Sequence, residues 1–528
     1  MASVGGVAAS VRGARMRSVW VAGATAAAVI LGLVASIAVQ EAELSVVAGG
    51  VAFGALALWL FLNQRLGWSC VVIGLYLLLL DGFLKLATGS NTLTLGRDVL
   101  IFAVAIGYLA RASIRRTPLR LPPLGVWILA YVAIVLVQLA NPGNYSGSHS
   151  LAALKPDLEF VPLFFLGYAA LQSAKALKVF VVLLLVCAAA NGVVGLVQLN
   201  LTADQLASWG PGYSERVNGT ATVSGRVYVD DSGQVRTRPF GLGTDAGSGG
   251  LVGVLAVGAA LAAVLLASQR RMSLWIAVLV LAPPLAIITG QGRTTLVAGV
   301  AAALVFTALA VSARRLVPSL VAVMLALVVV FGVTKFVGDS SSTGVFDRYK
   351  TLKPSALIDS TRTSRGSSIE RIPQLLTEYP LGAGVGWVGP ARARLPAGTV
   401  EPANIDGETT FTYLTTEVGI PGLVILFGLN ILVIGRAFAV IRRFDIEIRY
   451  LLAALVAGVV GIFTTWVSGA PLAGAPGAPY FWFTLGALAF WLYPALVLRP
   501  TPGAPAEAES EGTVSSSRWP RRPRRTAQ

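Results

Sequence analysis

Three arginines and one glutamate have the residue types and positions to do chemistry in this chain. Arg238 stands in RTRPFGLGTDAGSGG, just before a long apolar run, and Arg293 stands in ITGQGRTTL, in a very short connection between two such runs. Arg365 opens SRGSSIERIPQLLTEYP at the end of a long polar stretch. An arginine at membrane depth is costly and normally has a partner. Its guanidinium keeps its charge and meets phosphate oxygens two at a time, so arginines converging on one face make a natural diphosphate site. The blander reading of each is snorkelling to an interface, or pairing with a carboxylate such as Asp245.

Glu408 stands at the mouth of an apolar run, where a partly desolvated carboxylate can act as a base. Its bland reading is a solvated loop charge. Glu417 lies a few turns deeper, beside Gly419-Ile420-Pro421-Gly422, where pairing with an arginine or hydrogen bonding to a broken helix gives it a structural role. The only histidine, His149, lies in the polar stretch NPGNYSGSHS and is expected to be solvated. With Asp406 it is the fallback for a base. No cluster has metal-ligand spacing, and no Walker loop, dinucleotide fingerprint or acidic DxD pair occurs, so neither metal nor cofactor is expected.

The elements that must position these residues are membrane helices. The 528 residues are 55% hydrophobic and only 12% charged, with mean hydropathy +0.73, and apolar runs of about twenty residues recur throughout. The fold class expected is an all-α polytopic membrane protein with about fourteen transmembrane helices, within a range of about twelve to fourteen. They are placed at 19–39, 45–62, 67–84, 97–113, 122–140, 158–172, 177–199, 243–267, 273–289, 294–312, 316–336, 411–434, 450–468 and 479–498. The first is too long for a signal peptide's apolar core and reads as a retained helix. Cys70 and Cys187 fall inside apolar runs and read as small core residues.

Basic residues orient the map. With the N-terminus inside, the inner segments hold Arg12, Arg15, Arg17, Arg65, Arg111, Arg115, Arg116, Arg120, Lys175, Lys178, Arg270, Arg271, Arg314, Arg315, Arg436, Arg442, Arg443, Arg449 and the arginines from 499 onward. That makes 24 basic residues against Asp445, Glu447, Glu507, Glu509 and Glu511, so the inner side carries +19, the outer side −3 and the chain +16. Every short inner loop is basic, as the positive-inside rule requires. The excess charge thus reads as an orientation signal with affinity for anionic lipid, and not as a nucleic-acid footprint. The expected location is the plasma (inner) membrane, multi-pass, with both termini cytoplasmic.

The resulting organisation is a cytoplasmic N-terminus (1–18), N-terminal helices (19–199), an extracytoplasmic loop (200–242), helices with the Arg293 turn (243–336), a large extracytoplasmic loop (337–410), C-terminal helices (411–498) and a disordered cytoplasmic tail (499–528). Two long loops on one side are unlike mere connections. In the first, GRVYVDDSGQVRTRPFG alternates and predicts a hairpin turning at Asp231-Ser232-Gly233. In the second, Ile369, Ile372, Leu375 and Leu376 predict a short amphipathic helix on the membrane surface, bent by Pro373. The glycines of PLGAGVGW that follow allow close backbone approach to a ligand or another helix.

The order of GRTTL after a short turn, the amphipathic segment, PLGAGVGW and then ETTFTYLTTEVGIPGL, with RPFG upstream, resembles the O-antigen ligase and O-antigen polymerase family of polytopic glycosyltransferases. The resemblance is firmest over 285–430. It implies that Arg238 and Arg293 engage the diphosphate of a polyprenyl-linked glycan donor, with a glycan or glycolipid as acceptor and the membrane lipid around them. Ligases of the family carry a histidine at or next to the position of Glu408, and this chain has none there, so the carboxylate stands as the candidate base. Two other classes compete: a transporter or flippase of lipid-linked sugars, whose arginines would hold headgroups, and a non-catalytic scaffold for envelope assembly.

Overall fold

The computed structural model describes residues 42–89, 92–116, 120–219, 225–229, 235–267, 274–310, 368–392 and 405–493, with 321, 395, 399 and 402 as isolated positions. The expected spans at 19–39 and 316–336, Arg365, most of the second long loop and the tail lie outside them. In order, the helices are α1 (Ala42–Leu62), α2 (Leu66–Thr88), α3 (Thr92–Ile114), α4 (Gly125–Ala140), α5 (Gly147–Leu158), α6 (Pro162–Ala170), α7 (Ala174–Leu199), α8 (Ala203–Ala207) and α9 (Pro211–Asn218). After the strands β1 (Val227–Val229) and β2 (Val235–Thr237) come α10 (Ser248–Ala267), α11 (Leu274–Thr289) and α12 (Arg293–Ala310). Beyond the second loop lie α13 (Ile372–Glu378), α14 (Gly389–Arg392), α15 (Thr410–Val440), α16 (Ile446–Thr465) and α17 (Gly477–Leu492).

Each expected span within the described residues contains helix, and six helical stretches are long and apolar enough to cross a membrane: Leu66–Thr88, Ala174–Leu199, Ser248–Ala267, Arg293–Ala310, Thr410–Arg443 and Ile446–Thr465. Large apolar side chains such as Val51, Leu58, Trp68, Ile106, Val126 and Val424 are exposed on the outside of the bundle. Water does not tolerate so much exposed apolar surface, and lipid does. This is a membrane protein.

The centre of the bundle is the small-residue helix α10, packed against α7, α11, α12 and α16. Its glycines and its alanines other than Ala263, with Val252, Val254 and Leu255, are buried, and Leu451 to Val459 of α16 form an unbroken buried run beside them. A helix apolar all round belongs in such a central position. Helix α6 packs along α17, α1 along α3, and α15 along α4. Cys70 and Cys187 are buried, unlinked core residues.

The expected hairpin is present: β1 pairs antiparallel with β2, Val227 opposite Thr237 and Val229 opposite Val235, a register centred on Ser232. The amphipathic segment is helical at 368–370 and again over α13, interrupted at Arg371 just before Pro373, whose missing N–H costs nothing in the first turn. Leu375, the fully buried residue of α13, is packed toward α15.

Candidate functional site

Helix α15 is broken. Gly419 has φ 64° and ψ −163°, a conformation that glycine alone adopts readily, and Pro421 has no N–H to continue the ladder. The chain supplies the missing partners from PLGAGVGW: the Ile420 N–H donates to the Pro380 carbonyl at 2.9 Å, and the Ala383 N–H donates to the Thr416 carbonyl at 2.8 Å. Gly382, at φ 93°, faces the break so closely that a Cβ on Gly419 would lie 2.5 Å from the Gly382 nitrogen. The glycine-rich turn thus approaches another helix and is seated in its break.

Glu417 locks this seat. It is 2% exposed, and its two oxygens accept the N–H groups of Gly386 at 2.7 Å and Val388 at 3.0 Å. From the other side the stretch 138–149 grips the same turn. Gln138 donates to the Leu381 carbonyl, Asn141 to the Gly382 carbonyl at 3.0 Å, and Asn144 Oδ1 accepts the Val385 N–H at 3.0 Å. Trp387 Nε1 donates to the Gly143 carbonyl at 2.9 Å. His149 belongs to this grip and is not solvated. Ser146 caps α5 through the His149 N–H at 3.2 Å, which turns the ring inward, and Nε2 donates to the Gly386 carbonyl at 3.0 Å. Glu417 and His149 are therefore structural.

Glu408 differs from expectation. Its carboxylate is exposed, where partial desolvation was expected. The buried acid of this stretch is Asp406, whose Oδ1 accepts the Glu408 N–H at 2.8 Å and the Thr412 hydroxyl at 3.4 Å, forming a turn that leaves Glu408 outside. The Ser368 hydroxyl donates to Glu408 Oε2 at 3.4 Å, linking the mouth of α15 to the chain just after Arg365.

Arg238 and Arg293 lie on turns that pack against one another. A Cβ on Gly290 would lie 2.9 Å from Gly250, and one on Gly247 would lie 3.5 Å from the Gly290 carbonyl. Both arginines are half-buried. Asp245 is engaged by Arg226: Nε and Nη2 each meet one oxygen at 2.8 Å. That two-toothed bond raises the already high proton affinity of Arg226, and it ties the hairpin to the turn.

Beside Arg293, in the same turn, stands Gln291, which the sequence did not single out. It is 2% exposed, and its φ of 51° is unusual for a residue with a side chain. The Tyr228 hydroxyl donates to its Oε1 at 3.2 Å, which directs the amide nitrogen the other way, and that buried nitrogen has no hydrogen-bond partner among the described residues. The Thr237 hydroxyl, next in sequence to Arg238, is likewise buried without a partner among the described residues. Two orphaned polar groups beside two half-buried arginines make an arrangement suited to an oxyanion. The sequence signal was weak: a glutamine inside a two-glycine turn, GQG.

A second charged assembly was also missed. Arg97 of α3 is buried, with Nη1 3.1 Å from Asp81 of α2 and Nη2 2.7 Å from Glu159, which precedes α6; its guanidinium lies over the Phe160 ring. Asp98 is 2.6 Å from Lys155 of α5. Charges at or inside the spans 67–84, 97–113 and 158–172 were the available signal. No family model matches the chain, and no curated protein matches it.

Proposed function

We propose that the protein is an integral-membrane glycosyltransferase that moves a glycan from a polyprenyl diphosphate donor to an acceptor hydroxyl at the extracytoplasmic face. The observation that carries this reading is the pair of packed turns bearing Arg238 and Arg293, with the orphaned amide nitrogen of Gln291 in the second of them. Positive guanidinium groups and a fixed donor suit a diphosphate whose charge grows as it departs, and electrostatic complementarity of this kind supplies much of the rate in group transfer. The motif order GRTTL, PLGAGVGW and ETTFTYLTTEVGIPGL, which resembles the O-antigen ligase and polymerase family, supports it. So do a map of about fourteen spans with both termini inside and the basic inner loops.

In the reaction, the acceptor oxygen attacks the anomeric carbon as the bond from that carbon to the diphosphate oxygen breaks. The hydroxyl proton passes to Glu408, polyprenyl diphosphate leaves, and the anomeric centre is inverted. Because Glu408 is exposed, an acceptor reaches it without rearrangement of the clamp, and the bound sugar supplies the desolvation that sharpens a base. Arg365 completes the diphosphate contacts from the loop.

The test is release of polyprenyl diphosphate by the purified chain in detergent with donor and acceptor. Release that falls in Arg238→Lys and Arg293→Lys, where an ammonium replaces the bidentate fork, and falls by about 10²–10⁴ in Glu408→Gln, is the expected result. A transporter or scaffold frees no polyprenyl diphosphate in detergent, and that outcome overturns the reading.

A further inference from the structure

The hairpin gathers its long polar side chains on one face. Tyr228 stands directly opposite Arg236 in the β1–β2 ladder. Side chains alternate along a strand and opposite residues share a face, so Tyr228 and Arg236 project together with Arg226, two residues back. Val227 and Val235 take the reverse face and are exposed. The ladder runs on past β2, because the Arg238 N–H donates to the Arg226 carbonyl at 3.4 Å, and that puts Arg238 on the polar face as well.

Two side-chain ties hold this face against the neighbouring turns. Arg226 grips Asp245 through two hydrogen bonds of 2.8 Å, and the Tyr228 hydroxyl donates to Gln291 Oε1 at 3.2 Å. The first tie joins groups that satisfy each other. The second engages only the oxygen of the Gln291 amide, whose nitrogen is buried with no hydrogen-bond partner among the described residues. A buried donor left in that state destabilises the fold. Gln291 also holds a φ of 51°, which a glycine like its neighbours Gly290 and Gly292 would take without strain. The glutamine side chain is thus kept here at a cost in local stability, as groups that serve a ligand are. Arg236, a donor-only cation directly across the ladder from Tyr228, favours the oxygen end of the amide on this side and leaves the nitrogen end facing away.

We infer that Tyr228 is a positioning residue: by holding the Gln291 oxygen it presents the Gln291 nitrogen as a fixed donor to an oxyanion bound beside Arg293. The role itself stands on the hydrogen bond and the orphaned nitrogen. That the oxyanion is the departing diphosphate rests on the glycosyltransferase reading. On that reading the donor matters most as charge grows on the diphosphate, so Tyr228 acts on turnover more than on donor affinity.

A double-mutant cycle in the full chain tests this, read by release of polyprenyl diphosphate in detergent and by equilibrium binding of inorganic pyrophosphate, which carries the charge of the departed group. Tyr228→Phe keeps the ring and removes the hydroxyl. It is expected to lower kcat about three- to tenfold with KM changed by no more than about twofold, as loss of one oriented hydrogen bond does. Gln291→Ala should lower kcat at least as far, and the two changes together no further than Gln291→Ala alone, because Tyr228 then has nothing to position. A tyrosine that only props the hairpin would give losses that multiply. Val235→Thr, on the exposed reverse face, should match the parent. Pyrophosphate binding should follow the same non-additive pattern. Tyr228→Phe turning over at the parental rate, or losses that multiply in full, overturn the inference and leave the proposed function standing. The non-additive pattern in pyrophosphate binding by a chain that releases no polyprenyl diphosphate keeps the positioning role and sinks the glycosyltransferase reading. Pyrophosphate bound equally well by the parent and by Gln291→Ala overturns the role assigned to both residues.

Discussion

Glu417→Gln separates a structural carboxylate from a catalytic one. In the parent, each carboxylate oxygen accepts one backbone N–H, from Gly386 at 2.7 Å and Val388 at 3.0 Å, in a site closed to water. A glutamine keeps one acceptor and turns the other into a donor aimed at a donor. One charge-assisted bond, worth about 1.5–3 kcal/mol, disappears, and a buried N–H is left unsatisfied at a cost of about 1–3 kcal/mol. Because these two figures overlap in what they count, the expected destabilisation is about 2–4 kcal/mol. Glu417→Ala strips both partners and should cost more, while the exposed Glu408→Gln should leave stability unchanged. The assay is the fraction of purified protein that stays monodisperse in detergent after heating, set beside abundance in the membrane. Glu417→Gln protein that survives heating as the parent does, yet has lost transfer, would refute the reasoning and make Glu417 a reacting group.

Two further substitutions probe the same clamp. Gly419→Ala should prevent folding, since its Cβ would lie 2.5 Å from the Gly382 nitrogen at a positive φ, whereas Gly435→Ala on the same helix meets nothing within 4 Å and should be neutral or stabilising by about 0.5–1 kcal/mol; equal recovery of the two proteins by gel filtration would contradict the seated turn. His149→Ala should lower thermal stability by about 1–3 kcal/mol through the unpartnered Gly386 carbonyl, yet leave the turnover of the folded fraction and its pH profile unaltered. A changed pH profile in that variant would return the ring to the chemistry.

What the sequence made legible is what local rules govern. The apolar runs of α7, α10 and α16 announce themselves by length, and the hairpin by alternation about Ser232. The broken helix is announced by Gly419 and Pro421, two residues with opposite backbone restrictions set close together. Contacts between distant segments were not legible. His149 sits in a polar stretch that looks solvated until the Gly386 carbonyl, which no periodicity connects to it, arrives from the far end of the chain. Asp81, Arg97 and Glu159 come from three separate segments, so their pairing is a property of packing. Glu408 and Asp406 were assigned by proximity to a span, but the turn geometry of two residues decides which of them faces inward.

The seated turn also bears on how the chain enters its membrane. Thr410 to Val418 carries four threonines and a glutamate, and all of these side chains but Thr415 find partners outside the segment, so a translocating pore would read it as a poor passenger for lipid. The stretch after the break, 420–440, is apolar and spans roughly 30 Å at 1.5 Å per residue, enough to insert unaided. The polar half can therefore wait at the bilayer edge while its successor anchors the chain. The turn that clasps it, 380–388, leaves the ribosome earlier, so the partners of Glu417 and of the Thr416 carbonyl are already synthesised when it emerges, while those of Thr410, at Trp466 and Gly469, follow. Synthesis order and the break at Gly419 together let a helix too polar for insertion be completed inside the protein, after the membrane has accepted the rest.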